Sequence, residues 1–129
     1  MGTGAIVELQ PPYPPVDYRL YNTSWYNDSK DGKTRTFVFT GATSSPSDGR
    51  ATNQGVVVVR VARMSVQDDH VFIDIVESSQ YLTPTKSGAV RVVAANGERL
   101  TLKSSNGNTF YFDVPSRQFV SSPSTTSGP

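Results

Sequence analysis

The stretch AVRVVAANGERLTLKSSNGNTFYFDV, residues 89–114, decides the fold class of this chain. Two triplets within it, Ala95-Asn96-Gly97 and Ser105-Asn106-Gly107, separate runs in which apolar and polar residues alternate. Such alternation is typical of half-buried strands, and an Asn-Gly pair between two such runs is typical of a tight β-turn. The stretch therefore predicts a three-stranded antiparallel meander, with strands at 89–94, 99–104 and 109–114.

The register of this meander follows from the pairing that keeps apolar residues on one face. A three-residue loop at each triplet pairs Leu102 with Phe110 and Val92 with Leu100, whereas two-residue loops mix apolar and polar residues on both faces. Because a slip of one residue moves every side chain to the opposite face, the pattern favours three-residue loops closed by a left-handed glycine. The predicted inner face has seven members: Val90, Val92, Leu100, Leu102, Phe110, Phe112 and Val114.

A second pair of strands is predicted before the meander. GVVVVRVARM, residues 55–64, is apolar on both faces at its start, which suits a central strand covered on two sides. HVFIDIV, residues 70–76, alternates and follows after an expected five-residue loop at 65–69. This pairing places Val61 opposite Ile73 and Val59 opposite Ile75. It also places Arg60 opposite Asp74 on the other face.

Further strand signals occur at residues 6–9, 18–21, 35–40 and 117–120, and no window has helical periodicity. About seven to eight short strands with frequent turn signals are typical of a sandwich or a small barrel. We predict an all-β antiparallel β-sandwich that ends in the three-stranded meander. A small closed β-barrel is the alternative.

Composition divides the chain into three parts. Residues 1–17 are interpreted as an N-terminal extension with a Pro-rich lead-in at 11–15, in which Tyr13 is a candidate partner contact. Residues 18–120 form a single β domain. Residues 121–129 (SSPSTTSGP) are interpreted as a disordered Ser/Thr/Pro tail, because they have too little apolar surface to form a core.

Charge and residue content exclude several classes of function. The chain has 129 residues, a formal net charge of +1 and no cysteine, which excludes disulfides, thiolate zinc sites and cysteine nucleophiles. Near-neutral charge argues against nucleic acid as a partner, and no apolar run is long enough for membrane insertion as a helix. His70 is the only histidine, and no nucleophile-elbow, phosphate-loop or zinc motif is present. We therefore expect no catalytic activity, no cofactor and no metal site.

Two groups of residues are candidate partner or ligand contacts. The predicted outer face of the meander carries Arg91, Arg99, Lys103 and Tyr111, where cations and a ring could bind an anion or a sugar. The same residue types are also the ordinary filler of a solvated sheet face. The second group is an aromatic cluster, which could stack on carbohydrate or instead form a core or lid. Its members are Tyr18, Tyr21, Trp25 and Tyr26.

These observations together favour a non-catalytic structural or protein-interaction module of a surface, secreted or virion assembly, in an extracellular or cell-surface location. Its expected partners are other protein subunits, with self-assembly by addition of an N-terminal strand at residues 6–9 as one route. The alternative is a carbohydrate-binding module that uses the aromatic cluster and takes a glycan as ligand. The sequence pattern of residues 96–114, NGERLTLKSSNGNTFYFDV, resembles that of bacterial extracytoplasmic β domains. This resemblance implies no activity.

Overall fold

The computed structural model describes residues 4–8, 18–45, 47–48 and 50–121. These residues form strands and turns, and the described part of the chain contains no helix that could cross a membrane. The strands have the following bounds: β1 Ala5–Glu8, β2 Tyr18–Leu20, β3 Thr23–Asp28, β4 Thr34–Ser44, β5 Ala51–Gln67, β6 His70–Leu82, β7 Val90–Asn96, β8 Arg99–Ser104, β9 Thr109–Asp113 and β10 Gln118–Val120.

The strands form two antiparallel sheets. The first sheet has the order β1-β3-β4-β5-β6, with β2 pairing along a separate part of β4, and the second has the order β10-β9-β8-β7. Neither sheet closes on itself, so the predicted all-β sandwich is confirmed and the closed barrel is not formed. The predicted central position of residues 55–64 is also confirmed, because β5 lies between β4 and β6.

The main core lies between the sheets. Its largest fully buried side chains are Trp25 from the first sheet and Phe112, Leu100 and Leu102 from the second. The valines at alternate positions of β5, from 57 to 61, face them. Six of the seven predicted inner residues of the meander are buried, and Phe110 packs against them partly buried. The prediction of the inner face is therefore confirmed.

The first sheet also buries apolar residues on its outer face, away from the second sheet. Phe39, Val56 and Val58 are at most 2% exposed there. Tyr18 and Leu20 from β2 pack over this cluster, and the Tyr18 hydroxyl donates a hydrogen bond of 2.6 Å to Gln80 Oε1 on β6. The apolar run of β5 is thus explained by burial on two faces.

The two predicted loops of the meander have different outcomes. At residues 105–107 the three-residue loop is confirmed: Leu102 lies opposite Phe110, and Gly107 has a left-handed φ of 96°. At residues 95–97 the prediction is wrong, because Asn96 lies opposite Arg99 and the loop is the two residues Gly97 and Glu98.

A β-bulge explains the second outcome. The register shifts between Val92 and Ala94, so Val92 lies opposite Leu102 rather than Leu100 and still faces the core. One extra residue in a strand restores the inward alternation that a two-residue loop would otherwise disrupt. A glycine in the first position, here Gly97 at φ 61°, suits the two-residue loop.

The predicted register of β5 and β6 is also wrong. Val61 lies opposite Glu77, Met64 opposite Ile73 and Arg63 opposite Asp74, because the loop has two residues rather than five. Asp68 and Asp69 have left-handed φ values of 50° and 64°, which aspartate tolerates better than most residues and which a tight hairpin turn requires. The two strands therefore continue to Gln67 and His70 and form a long hairpin.

The N-terminal part of the first sheet differs from expectation in one strand. Residues 23–28, treated above only as an aromatic cluster, form β3, and the expected N-terminal strand pairs with it as β1 within the same chain. Gly4 lies so close to the Trp25 indole that an added Cβ would be only 2.2 Å from the ring. Glycine at this position therefore lets β1 close over Trp25.

Candidate contact surface

The outer end of the β5–β6 hairpin projects beyond the rest of the sandwich. Pairing of β4 with β5 ends at Thr34 opposite Arg63, whereas β5 and β6 remain paired as far as Gln67 and His70. No strand of the second sheet covers this end: the main core stops at Val61 on β5. We call residues 62–76 the arm.

One face of the arm is apolar and open to solvent. Because side chains alternate along a strand, this face continues the outer face of the first sheet that carries Val56 and Val58. Val66, Val71 and Ile73 are 67%, 60% and 66% exposed. We call the whole row the apolar stripe; its members are Ala62, Met64, Val66, Val71, Ile73 and Ile75.

A bulge in β6 accounts for the continuity of the stripe. The register shifts so that Val61 is opposite Glu77 while Ala62 is opposite Ile75, which leaves Val76 as the extra residue. Glu77 thereby faces the second sheet while Ile75 faces outward, although the two are only two positions apart. The bulge makes the exposed face of the arm uniformly apolar.

The opposite face of the arm is polar around one aromatic residue. Arg63 lies across from Asp74, Ser65 from Phe72 and Gln67 from His70. Phe72 is 47% exposed. The arm is therefore amphipathic, like an antiparallel sheet that packs one face against another layer and exposes the other face to solvent.

A groove at the foot of the arm extends the apolar stripe toward β4. It has a volume of about 260 Å³, and its apolar walls include Phe37, Met64 and Ile73. A bidentate ion pair borders it: Arg35 Nε and Nη2 donate to the two Asp28 oxygens at 2.6 and 2.9 Å. These hydrogen bonds from Arg35 lower the pKa of Asp28 below its ordinary value.

A second ion pair joins the base of the arm to the other sheet. Arg117, in the turn after β9, donates two hydrogen bonds of 2.8 Å to the Glu77 carboxylate and a further one to the Val114 carbonyl. The hydrogen bonds from Arg117 lower the pKa of Glu77, although partial burial opposes the shift. Arg117 has a left-handed φ of 58°, so the backbone holds an unfavourable conformation where this contact is made.

The outer edge of β6 is free in the described part of the chain. β6 is the last strand of its sheet and pairs only with β5. Residues 70–76 are all exposed. An exposed edge of this kind presents backbone N–H and C=O groups that can pair with another strand.

The predicted outer face of the meander exists, but its charges are largely satisfied within it. Arg99 Nε donates to Asp113 Oδ1 at 3.0 Å, and both side chains are about 15% exposed. Burial raises the pKa of Asp113, but hydrogen bonds from Ser116 and Arg99 outweigh it, so the net pKa is lowered. Tyr111 lies across from Thr101 in the predicted register.

Arg91 and Lys103 lie opposite one another at the other end of this face. Like charges in this position are unfavourable, and the Arg91 guanidinium instead lies over the Tyr21 ring, 4.5 Å from its centroid. The three side chains line a shallow pocket of about 200 Å³. This volume is below the range of about 300–1,000 Å³ typical of small-molecule sites.

The four residues of the aromatic cluster do not share a surface. Trp25 is 0% exposed in the core, so its indole face is not accessible to a sugar. Tyr18 packs on the outer cluster of the first sheet, and the guanidinium of Arg35 covers Tyr26 at 4.6 Å from its centroid. Tyr21 contacts Arg91, as described above. Tyr13, the remaining candidate contact, lies outside the described residues.

The described residues offer no group that would hold a metal ion through three or more His, Cys, Asp or Glu side chains. His70 begins β6 at the tip of the arm, exposed, with Gln67 opposite it. Searches against protein-family models, curated proteins and solved structures found no match to the chain.

Proposed function

We propose that this chain is a non-catalytic protein-interaction module whose contact surface is the arm. The observation that carries the proposal is the apolar stripe: five large aliphatic side chains on one face of a hairpin, each 44% or more exposed. The domain has a complete core elsewhere, with eleven residues at most 7% exposed between its sheets. The stripe is therefore not needed to form the core.

The energetics of a two-stranded hairpin support this function. Among the described residues, strand pairing beyond Arg63 involves β5 and β6 alone, and the one further backbone contact is a hydrogen bond of 2.7 Å from the Met64 N–H to the Lys33 carbonyl. A hairpin with only two strands is marginally stable in water, because it buries little apolar surface. A partner that covers the stripe would supply the missing burial.

The size of the stripe also supports a contact role. With exposures of 44–67%, its five large side chains present on the order of 500 Å² of apolar surface. That is near the upper end of the roughly 300–600 Å² found for the largest patch on a typical monomer. The largest apolar patch on a monomer is often a functional surface.

Site-specific photo-crosslinking tests the proposal. A benzophenone amino acid placed at Val66 is expected to form covalent adducts with a protein in the cells that express the chain. Mass spectrometry of the adduct would identify a defined peptide, which makes capture specific rather than adventitious. The matched control is the same amino acid at Gln118, which is exposed on β10 of the second sheet.

A supporting result has two parts: adducts at position 66 in excess of those at 118, and loss of most of them when Ile73→Asp is added. The second substitution places a charge in the stripe and leaves the crosslinking residue at position 66 in place. Equal adduct yields at the two positions would overturn the proposal. So would adducts at 66 that Ile73→Asp leaves unchanged.

A further inference from the structure

The five residues at the free edge of β6 are self-complementary. The segment is His70-Val71-Phe72-Ile73-Asp74, with a base at one end, an acid at the other and Phe72 at its centre. Paired antiparallel with a second copy about Phe72, each His70 lies opposite Asp74 of the second copy. Val71 then lies opposite Ile73 of the second copy, and the two Phe72 side chains meet on the axis.

From this arrangement, and resting on the proposed function of the arm, we infer that two copies of the chain pair antiparallel through residues 70–74 of β6. A two-fold axis passes beside Phe72. The contact surface is then built from two arms, whose apolar stripes lie side by side on one face of a continuous sheet.

Neighbouring registers are less favourable. A two-fold axis at Asp74 would place two carboxylates directly opposite one another, which is destabilising. An axis at Ile73 would place Asp74 opposite Phe72 and would bring His70 against the bulged Val76. Of these three registers, the axis at Phe72 alone places histidine against aspartate, valine against isoleucine and phenylalanine against phenylalanine.

The backbone of the free edge fits the same register. The residues that flank a two-residue hairpin loop exchange hydrogen bonds, so the alternation directs the backbone groups of Val71 and Ile73 away from β5. In the proposed pairing these two residues are opposite each other and exchange the intermolecular bonds. His70 and Asp74 then form the pairs whose side chains approach most closely.

Side chains of β5, the strand next to β6, add to the complementarity of the two copies. Arg63 lies across from Asp74 on β5, and Gln67 lies across from His70. In the pair of copies, one row across four strands therefore reads Arg63, Asp74, His70 of the second copy and Gln67 of the second copy. Each Asp74 is flanked by two basic side chains, and no carboxylate of the row faces another.

The apolar area of one stripe is smaller than the area that a stable protein interface buries, which favours a contact surface made of two arms. One stripe presents on the order of 500 Å², whereas a stable interface buries about 800 Å² on each partner. Two adjacent stripes present on the order of 1,000 Å², which reaches that requirement. The surface for a further protein is therefore incomplete without the second copy.

Sedimentation equilibrium of the full chain over a wide concentration range tests the inference with charge variants. Wild type is expected to reach twice the 14.0 kDa mass of one chain. His70→Asp places an acid opposite each Asp74 and should weaken self-association at least tenfold. The double variant His70→Lys with Asp74→Lys places bases against bases and should weaken it equally.

Mixing the two variants is the decisive measurement. One carries acids at both ends of the segment and the other bases, so the mixture should form a one-to-one dimer although each alone is monomeric. Thr109→Asp, a new carboxylate at an exposed position of the second sheet opposite Lys103, should leave the wild-type association unchanged. Circular dichroism of each variant confirms that the fold is retained.

Two results would overturn the inference: a wild-type chain that remains monomeric throughout, or a His70→Asp variant that dimerises as tightly as wild type. A mixture that fails to associate would overturn it as well. These outcomes are separable from the proposed function, because crosslinking at Val66 to a different protein would still establish the arm as a contact surface.

Discussion

The two halves of the β5–β6 hairpin share the same strands but lie in opposite environments. At its base Val59 is 0% exposed, while in the arm Val66 is 67% exposed, although both are β-branched residues of one continuous strand. The difference comes from the covering layer. Val59 faces the second sheet, whereas Val66 lies on the outer face of the first sheet, beyond the part around Val56 and Val58 that Tyr18 and Leu20 of β2 cover. A sequence can therefore form a strand without being buried. The part of the β5–β6 hairpin that extends beyond its cover forms an exposed surface.

Matched aspartate substitutions in the base and in the arm should show this difference in environment most strongly. Val59→Asp would bury a charge with no basic partner in an apolar core, and we expect it to abolish folding or to cost more than about 4 kcal/mol. Val66→Asp in the arm should change the free energy of unfolding by less than about 0.5 kcal/mol. Urea denaturation of the two variants, followed by tryptophan fluorescence of Trp25, measures both.

A destabilisation of comparable size in the two variants would contradict the comparison. It would mean that the stripe is covered by the chain itself. Val66→Thr, which keeps the β-branched shape without a charge, serves as the control for strand propensity at the same position.

The ion pair between Glu77 and Arg117 marks the boundary between the two halves, and its removal should have an intermediate effect. Glu77→Gln keeps the shape but loses the charge-assisted hydrogen bonds, for an expected cost of about 1 kcal/mol at pH 7. Because the pKa of Glu77 is lowered in the folded state, its contribution is fully present above the unfolded value of about 4.3. It is lost as the pH falls through the folded pKa.

Urea denaturation at a series of pH values measures this contribution. The free energies of wild type and Glu77→Gln should differ at pH 7 and converge in acid, once the pH has fallen below the lowered folded pKa of Glu77. A separation that did not shrink as the pH was lowered would show that Glu77 acts through its packing rather than its charge.

Much of the sandwich was predictable, because burial on one face leaves a repeating pattern. The inner residues of the meander and the loop at 105–107 followed from alternation and from Gly107. The loop at 95–97 did not, because a bulge at Val93 absorbs one residue and no local signal distinguishes a bulged strand from a regular one. Strand β3 was missed because Trp25 and its neighbours also suit a binding loop.

The arm was not predicted, for a different physical reason. The alternation of HVFIDIV indicates an apolar face but says nothing about what covers it. Coverage depends on which segments pack on the outer face of the first sheet, and β2, which covers Val56 and Val58 there, is distant in sequence. The one local clue was Asp68-Asp69: two residues that tolerate a left-handed φ between alternating runs can form a two-residue hairpin loop.

A substitution in the turn at the tip of the arm should have the smallest effect on stability. It tests whether the arm opens independently of the base of the hairpin. Asp69 has a φ of 64°, a region that glycine enters at less cost than aspartate. Asp69→Gly creates the Asp-Gly pair favoured in two-residue loops and should stabilise the closed arm by about 0.5 kcal/mol.

Hydrogen exchange separates this local gain from global stability. The amides of residues 70, 72 and 74, which point toward β5, should exchange more slowly in Asp69→Gly at concentrations where the chain is monomeric. Those of residues 57–59 should keep the rate set by global unfolding. Gly97→Ala, at the left-handed first position of a core hairpin loop, should instead lower the global stability by about 1 kcal/mol. If Asp69→Gly slowed exchange at 57–59 as much as at residues 70, 72 and 74, the arm and the base would unfold as one unit. The contact surface would then be a rigid extension of the core rather than a hairpin that a partner completes.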